Sequence, residues 1–194
     1  MFNFLQLFGA YTVIMERDQE LDIIKKVVDG DIEAFGFIIR KYQCPLYNLI
    51  SKMTHSATAT EELLQIVFIK SYEKLPAFKP EFRFFSWIYR IAINETINYL
   101  KSVKRFSSLT DQVLTQTADI VDEDENLISA ENLQLIVSQL KDDYKILIVL
   151  KYYQSLTYEE ICQITGLEII AVRSKLYMAR EILRKMIIKN SIND

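Results

Sequence analysis

The chain has little from which to build a metal site or a catalytic triad. Its 194 residues include one histidine, His55, and two cysteines, Cys44 and Cys162, that stand far apart. The cysteines have no metal-ligand or redox spacing, and no disulfide framework can be drawn. A zinc site or a histidine-dependent nucleophile is hard to assemble from this set. His55 reads as a polar residue at a helix end. No glycine-rich loop that could cradle a phosphate is present either.

Helix breakers are scarce as well. There are 4 glycines and 3 prolines, and no stretch alternates apolar and polar residues long enough for a sheet. Half of the residues are apolar, which is enough for a core if helices pack closely. The expected fold class is all-α, in two small helical domains.

The first residues are apolar: Phe2, Phe4, Leu5, Leu7, Phe8, Tyr11, Val13 and Ile14. No lysine or arginine precedes them, which argues against a secretory signal. A run of about 14 residues is also too short to span a bilayer. Met15 opens a polar, helix-like segment. Residues 1–15 are therefore read as an extension, with Met15 the preferred natural start and a short docked helix the rival. A native peptide beginning at Met1 would overturn that preference.

Charge is segregated along the chain. Residues 16–106 carry 14 basic and 12 acidic groups, and residues 107–132 carry 7 acidic groups and no basic one. Residues 133–194 carry 9 basic and 7 acidic groups, giving the overall −3. Within the last part, residues 170–189 hold six basic groups against one acidic. Cations concentrated on one face let an acidic protein bind nucleic acid. The polar, acidic stretch 107–128 reads as a linker between a domain at 16–106 and another at 129–194. Its acid run by itself signals only solvation.

Four helices are expected in the first domain. One runs from Asp18 to Val28 and stops at Asp29-Gly30. Asp31 caps a second, carrying Phe35, Ile38, Ile39 and Tyr42 and continuing past Pro45 to Met53. Thr58 to Glu61 reads as a capping box opening a third, which Leu75-Pro76 ends. Ser86 opens the fourth, with Trp87, Ile88, Ile91 and Ala92 along one face. The second domain adds helices at Ser129–Leu140 and Asp142–Tyr153, and then the most informative motif.

That motif begins at Thr157, which can cap a helix while Glu160 returns a bond to the cap's own N–H. Ile161 and Ile164 form its buried stripe, and Cys162 is small enough to let a second helix approach. Gly166 stands where a turn needs positive φ. Val172, Leu176, Ala179 and Leu183 then recur at helical spacing and face inward. Arg173, Ser174, Lys175, Tyr177 and Arg180 are left on or near the outer face. The pattern is a helix-turn-helix, which points to DNA. Alone, it is nearly as well explained by an amphipathic hairpin with solvated charges.

A second patch lies at residues 76–85, where Phe78, Phe82, Phe84 and Phe85 alternate with Lys79 and Arg83. Rings that stack on unpaired bases and cations that hold a backbone suit single-stranded nucleic acid. Phe84, Trp87 and Ile88 read as core instead, and Phe82, Lys79 and Arg83 as the exposed members. Lys101, Lys104 and Arg105 extend the cationic edge, where they also suit a helix C-terminus.

Taken together, residues from about Asp18 to Met186 resemble the ECF-type sigma factors, the compact class of bacterial RNA polymerase sigma subunits. Asp29-Gly-Asp-Ile-Glu-Ala-Phe35 resembles the family's first-helix junction, and Glu61-Glu-Leu-Leu-Gln-Ile-Val-Phe68 its polymerase-binding helix. Phe84-Phe-Ser-Trp-Ile-Tyr-Arg-Ile-Ala-Ile-Asn94 resembles the promoter-melting helix. The terminal helix-turn-helix resembles the domain that reads the minus-thirty-five element. Four motifs in order, split by an acidic linker, make a specific signal.

The resemblance implies a non-enzymatic, cofactor-free protein that acts in the cytoplasm on core RNA polymerase and promoter DNA, with no small-molecule substrate. It implies that Glu62, Gln65 and Phe68 meet the beta-prime clamp, and that the second domain meets the beta flap. It assigns minus-ten recognition to Phe78, Lys79, Phe82, Arg83, Arg90 and Asn94. It assigns minus-thirty-five recognition to Arg173, Ser174, Lys175, Tyr177, Met178 and Arg180, with Lys151, Tyr158 and Glu159 near the backbone or groove edge. It also implies an anti-sigma partner, commonly membrane-linked.

The chain departs from the family pattern at several places. Ile66 replaces an acidic residue after the glutamine, which alters the expected clamp contact. Asn98 and Lys101 stand where Asp and Arg are common, and Leu140-Lys141 replaces Leu-Pro. Ile170-Ala171 replaces Gly-Thr, and Met178 replaces an arginine, so the base preference of the recognition helix is its own. The rival function is a helix-turn-helix regulator that does not recruit polymerase. A small helical enzyme fits poorly, because no catalytic constellation is present.

Overall fold

The computed structural model describes residues 16–110 and 135–192, and every regular element among them is helical. The N-terminal extension and most of the acidic stretch lie outside the described residues.

Helix α1, Arg17–Val28, starts at Glu16, whose N–H donates to the Gln19 side chain, and ends at Gly30 with φ of 106°. Helix α2, Ile32–Thr54, is capped by the Asp31 carboxylate, which accepts from the Ala34 N–H at 3.1 Å. It runs through Pro45 without interruption, although proline has no N–H to offer Lys41. His55 closes it in the left-handed region, as the C-cap.

Helix α3, Ala57–Lys74, begins earlier than the Thr58–Glu61 box suggests. Its cap is Ser56, whose hydroxyl accepts from the Ala59 N–H at 3.3 Å. The turn after α2 is only two residues long, so Ser56 is the first side chain in place. Thr60 is buried and bonds inward, to the Ser56 carbonyl at 2.6 Å and the Thr54 hydroxyl at 3.0 Å. A short 3-10 turn at Leu75–Ala77 leads into the aromatic loop. Helix α4 spans Phe84–Thr110, starting two residues before Ser86 and running four residues into the stretch expected as linker.

In the second half, residues 135–138 are helical. Helix α5, Asp142–Ile148, widens into a π-helical turn at Val149–Tyr153. Ser155, at φ of 54°, ends that turn. Helices α6, Tyr158–Thr165, and α7, Ile169–Ile192, form the helix-turn-helix.

Helices α1 to α4 pack in sequence order, each on the next. A buried tie joins the first pair: Glu20 accepts from the Tyr42 hydroxyl at 2.7 Å and the Lys41 ammonium at 2.8 Å. This charge and burial push the Tyr42 hydroxyl far above the ordinary tyrosine range, burial being the larger cause. Lys70 and Glu95 pair at 2.6 Å between α3 and α4. In the second half, α7 packs on α5 and α6. The halves also pack on each other, α4 on α6 and α2 on the π turn, so that one apolar core runs through both. Each fully buried Leu or Ile there contributes about 1.5–3 kcal/mol. No helix among the described residues is long and apolar enough to cross a membrane.

Candidate nucleic-acid interface

The helix-turn-helix forms as its local chemistry requires. The Thr157 hydroxyl accepts from the Glu160 N–H at 3.2 Å, and the Glu160 carboxylate accepts from the Thr157 N–H at 3.0 Å. Gly166 takes φ of 73° and bonds back to the Cys162 carbonyl at 2.8 Å. A side chain there would pay the left-handed penalty of about 1 kcal/mol. Ile161, Ile164, Val172, Leu176 and Ala179 are buried, and Leu183 is partly buried. Cys162 is half-buried, and its thiol is pushed up first by burial and then by Glu159 and Glu168.

With the inner stripe fixed, the outer stripe follows. Arg173, Ser174, Tyr177 and Met178 are exposed on successive turns of α7, Tyr177 at 57%. Ile170, three residues before Arg173, is 77% exposed and belongs to the same stripe. Its three-residue spacing from Arg173 is the sequence signal for that placement. Arg180 is exposed further along the helix.

Tyr158 organises the edge of this face. Its half-buried ring has the Lys151 ammonium 4.8 Å from its centroid and the Arg173 guanidinium 5.4 Å from it. Lys151 also donates to the Leu156 carbonyl at 3.0 Å, so the π turn and the recognition helix hold one ring between cations. Such contacts are worth about 0.5–1 kcal/mol at exposed sites. Glu159 is exposed. Lys175 is half-exposed and meets the exposed Asp143 carboxylate at 3.1 Å.

The first half presents a second cationic area. Phe82 is 62% exposed, and Lys79 and Arg83 stand in solvent beside it. Arg17 braces this loop by donating to the Pro80 carbonyl at 3.2 Å. Phe78 does not join the exposed set. It is buried edge-on against Phe84 at 5.2 Å and tilted against Trp87 at 5.5 Å, so it anchors the loop to the core. Phe84 and Ile88 are buried and Trp87 half-buried. Asn94 is exposed at the rim of the cleft between the halves. Arg90 is engaged by the second half, donating to the Ile164 carbonyl at 3.1 Å and to the Gln163 carbonyl.

On α3, Glu62, Gln65, Ile66 and Ile69 share one exposed face. Phe68 lies on the other side, buried and edge-on to Phe35 at 6.4 Å. A ring at that position supports the helix from within and does not stand on this exposed face.

These features define a two-part helix-turn-helix protein. Sigma-70 region 2 matches residues 38–106, and Sigma-70 region 4 matches residues 130–183. The chain is 32% identical over 171 residues to the ECF RNA polymerase sigma-E factor of Escherichia coli (strain K12), covering 82% of this chain and 89% of that one. It is 28% identical over 185 residues to the RNA polymerase sigma-H factor of Pseudomonas aeruginosa, covering 89% and 95%. The fold is similar to CnrH in its complex with the cytosolic domain of CnrY, with TM-score 0.65, 18% identity, and 87% and 96% covered. It is equally similar to the sigma factor RpoE bound to the anti-sigma factor NepR from Bartonella quintana, with TM-score 0.65, 18% identity, and 80% and 98% covered. The chain belongs to the ECF sigma factors of the sigma-70 family.

Proposed function

We propose that this chain is the sigma subunit of an RNA polymerase: it binds core enzyme and directs it to promoters with a minus-ten and a minus-thirty-five element. The observation that carries this reading is the order of parts. A region 2 match ending at 106 is followed by a region 4 match from 130, and the second holds a recognition helix with its outer stripe in solvent.

Each half has a defined task in this reading. The stripe of Ile170, Arg173, Ser174, Tyr177 and Met178 enters the major groove of the minus-thirty-five element. Arg173 is suited to a guanine edge, and Ile170 to a thymine methyl. Lys175, Lys151 and Arg180 sit toward phosphates, with Tyr158 and Glu159 at the groove edge. The surface pair of Lys175 and Asp143 is worth about 0–1 kcal/mol, so a phosphate can displace it. Phe82, Lys79 and Arg83 receive an unstacked base of the minus-ten element, flanked by Arg90 and Asn94 on α4. The α3 face of Glu62, Gln65, Ile66 and Ile69 meets the polymerase clamp, and Ile66 makes that contact more apolar than the family pattern.

The protein performs no catalysis in this role and works in the cytoplasm beside the polymerase. Its activity is held in check by an anti-sigma factor, a proposal that rests on family resemblance. The test is transcription with purified core enzyme. Core plus this chain is expected to give discrete promoter-specific transcripts that core alone does not. A DNA-binding regulator would bind the same fragments and leave the core enzyme's transcripts unchanged.

A further inference from the structure

Arg173 and Lys175 lie on the same helix and are held in different ways. Lys175 donates to the Asp143 carboxylate at 3.1 Å, so a counter-charge already engages its ammonium. Arg173 has no carboxylate partner among the described residues. Its guanidinium carbon instead lies 5.4 Å from the centroid of the Tyr158 ring. A ring attracts a cation through its π face and brings no carboxylate oxygen to occupy the N–H groups. The donors of Arg173 therefore remain available, in the planar fork that matches a guanine edge.

The ring is itself fixed. Tyr158 is the first residue of α6, directly after the cap, so the Thr157–Glu160 box sets where it stands. The Lys151 ammonium lies 4.8 Å from the same centroid and donates to the Leu156 carbonyl at 3.0 Å. That brace comes from the π-helical turn Val149–Tyr153, which Ser155 closes at φ of 54°. Such turns are rare and frequent at functional sites. The ring is half-buried, and its hydroxyl makes no hydrogen bond among the described residues.

We propose that Tyr158 is a positioning residue for Arg173. Its ring holds the guanidinium ready for one base pair of the minus-thirty-five element, so base selectivity resides in a Lys151–Tyr158–Arg173 stack and not in α7 alone. The inference rests on the reading of α7 as the recognition helix and deepens it. It assigns the work to the ring, not to the hydroxyl.

Entropy supplies the reason. A free arginine side chain samples many rotamers, and ordering it on binding costs affinity. A guanidinium already held on a ring has met part of that cost before DNA arrives. The benefit falls on the base that Arg173 reads, whereas phosphate contacts act on every sequence alike.

The test compares base discrimination by holoenzyme assembled from purified core enzyme and the full chain. Binding is measured to promoter duplexes in which each minus-thirty-five base pair is changed in turn. Arg173→Ala identifies the position that Arg173 reads, where discrimination of about 5- to 150-fold is expected to disappear. Tyr158→Leu, which removes the π face, is expected to lower discrimination at that position about two- to fivefold and to leave the other preferences as they are. Tyr158→Phe, which keeps the ring and lacks the hydroxyl, is expected to recover that discrimination whatever its total affinity. Adding Tyr158→Leu to Arg173→Ala is expected to change nothing further at that position. Discrimination is a ratio measured on one preparation, so a smaller folded fraction cancels from it.

A loss spread evenly over all positions in Tyr158→Leu would overturn the proposal. So would Tyr158→Phe losing as much at the Arg173 position as Tyr158→Leu, or a further loss there when the two changes are combined. If Arg173→Ala relaxes no position, the recognition-helix reading fails and the positioning role with it. If it relaxes one and Tyr158→Leu does not, the positioning role alone falls.

Discussion

The two candidate DNA surfaces are held differently by the packing. Arg173, Ser174, Tyr177 and Met178 stand in solvent on α7, held from behind by Val172, Leu176 and Ala179. Arg83 and Arg90 on the first half are exposed as well, but each is tied to the second half, Arg83 to Glu160 and Arg90 to the end of α6. Both surfaces are cationic; one lies on α7, the other on the loop before α4 and on α4 itself. What separates them is the direction each helix presents once α4 lies on α6. A charged residue in either area can therefore be exposed and still be engaged within the fold. Its neighbours across the fold decide that.

The largest effect is expected at Ile161, which is fully buried in α6. Ile161→Ala is expected to cost about 2–5 kcal/mol in denaturant unfolding and to weaken binding to both elements. The exposed stripe is sharpened by Arg173→Ala, expected to cost about 1–3 kcal/mol on the minus-thirty-five duplex and to relax one base position. Binding to the minus-ten strand should stay unchanged, and an equal loss on both DNAs would erase the distinction between the surfaces. Thr157→Ala removes the cap of α6 and should lower stability by about 1 kcal/mol, read as a shift in thermal midpoint. Lys175→Ala should make the salt slope of minus-thirty-five binding shallower by about one unit, with stability unaffected.

The smallest expected effect concerns pH. Burial holds the His55 pKa below its ordinary value, and the Lys145 and Lys52 ammonium groups push the same way. The folded chain thus favours neutral His55 more than the unfolded chain does. The associated stability is present above the unfolded value, about 6.5, and is lost as pH falls through the lower folded value. His55→Asn should flatten that part of the pH profile of unfolding.

Much of this was legible in the residues because it is set locally. Thr157, Glu160 and Gly166 dictate a capped helix and a left-handed turn, and the structure forms both. The Val172–Leu176–Ala179 spacing fixes which side of α7 is buried. Phe78 and Phe68 were harder to place. An aromatic in a cationic loop and one on an amphipathic helix look alike in sequence, and only the packing against Phe84, Trp87 and Phe35 settles them as core. Thr58 to Glu61 has the letters of a capping box, but the two-residue turn makes Ser56 the cap of α3. The contacts of Ser86, Tyr89 and Arg90 with residues more than sixty positions away have no sequence signature at all.

In the proposed function, two separate surfaces of one chain read two spaced promoter elements on behalf of core polymerase. Transcription from a randomised promoter library, with purified core enzyme and this chain, tests it most directly. The transcribed templates are expected to share two short conserved blocks at a fixed spacing, and Arg173→Ala to relax only the upstream block. Transcripts no more specific than those of core alone, or templates sharing a single block, would contradict it.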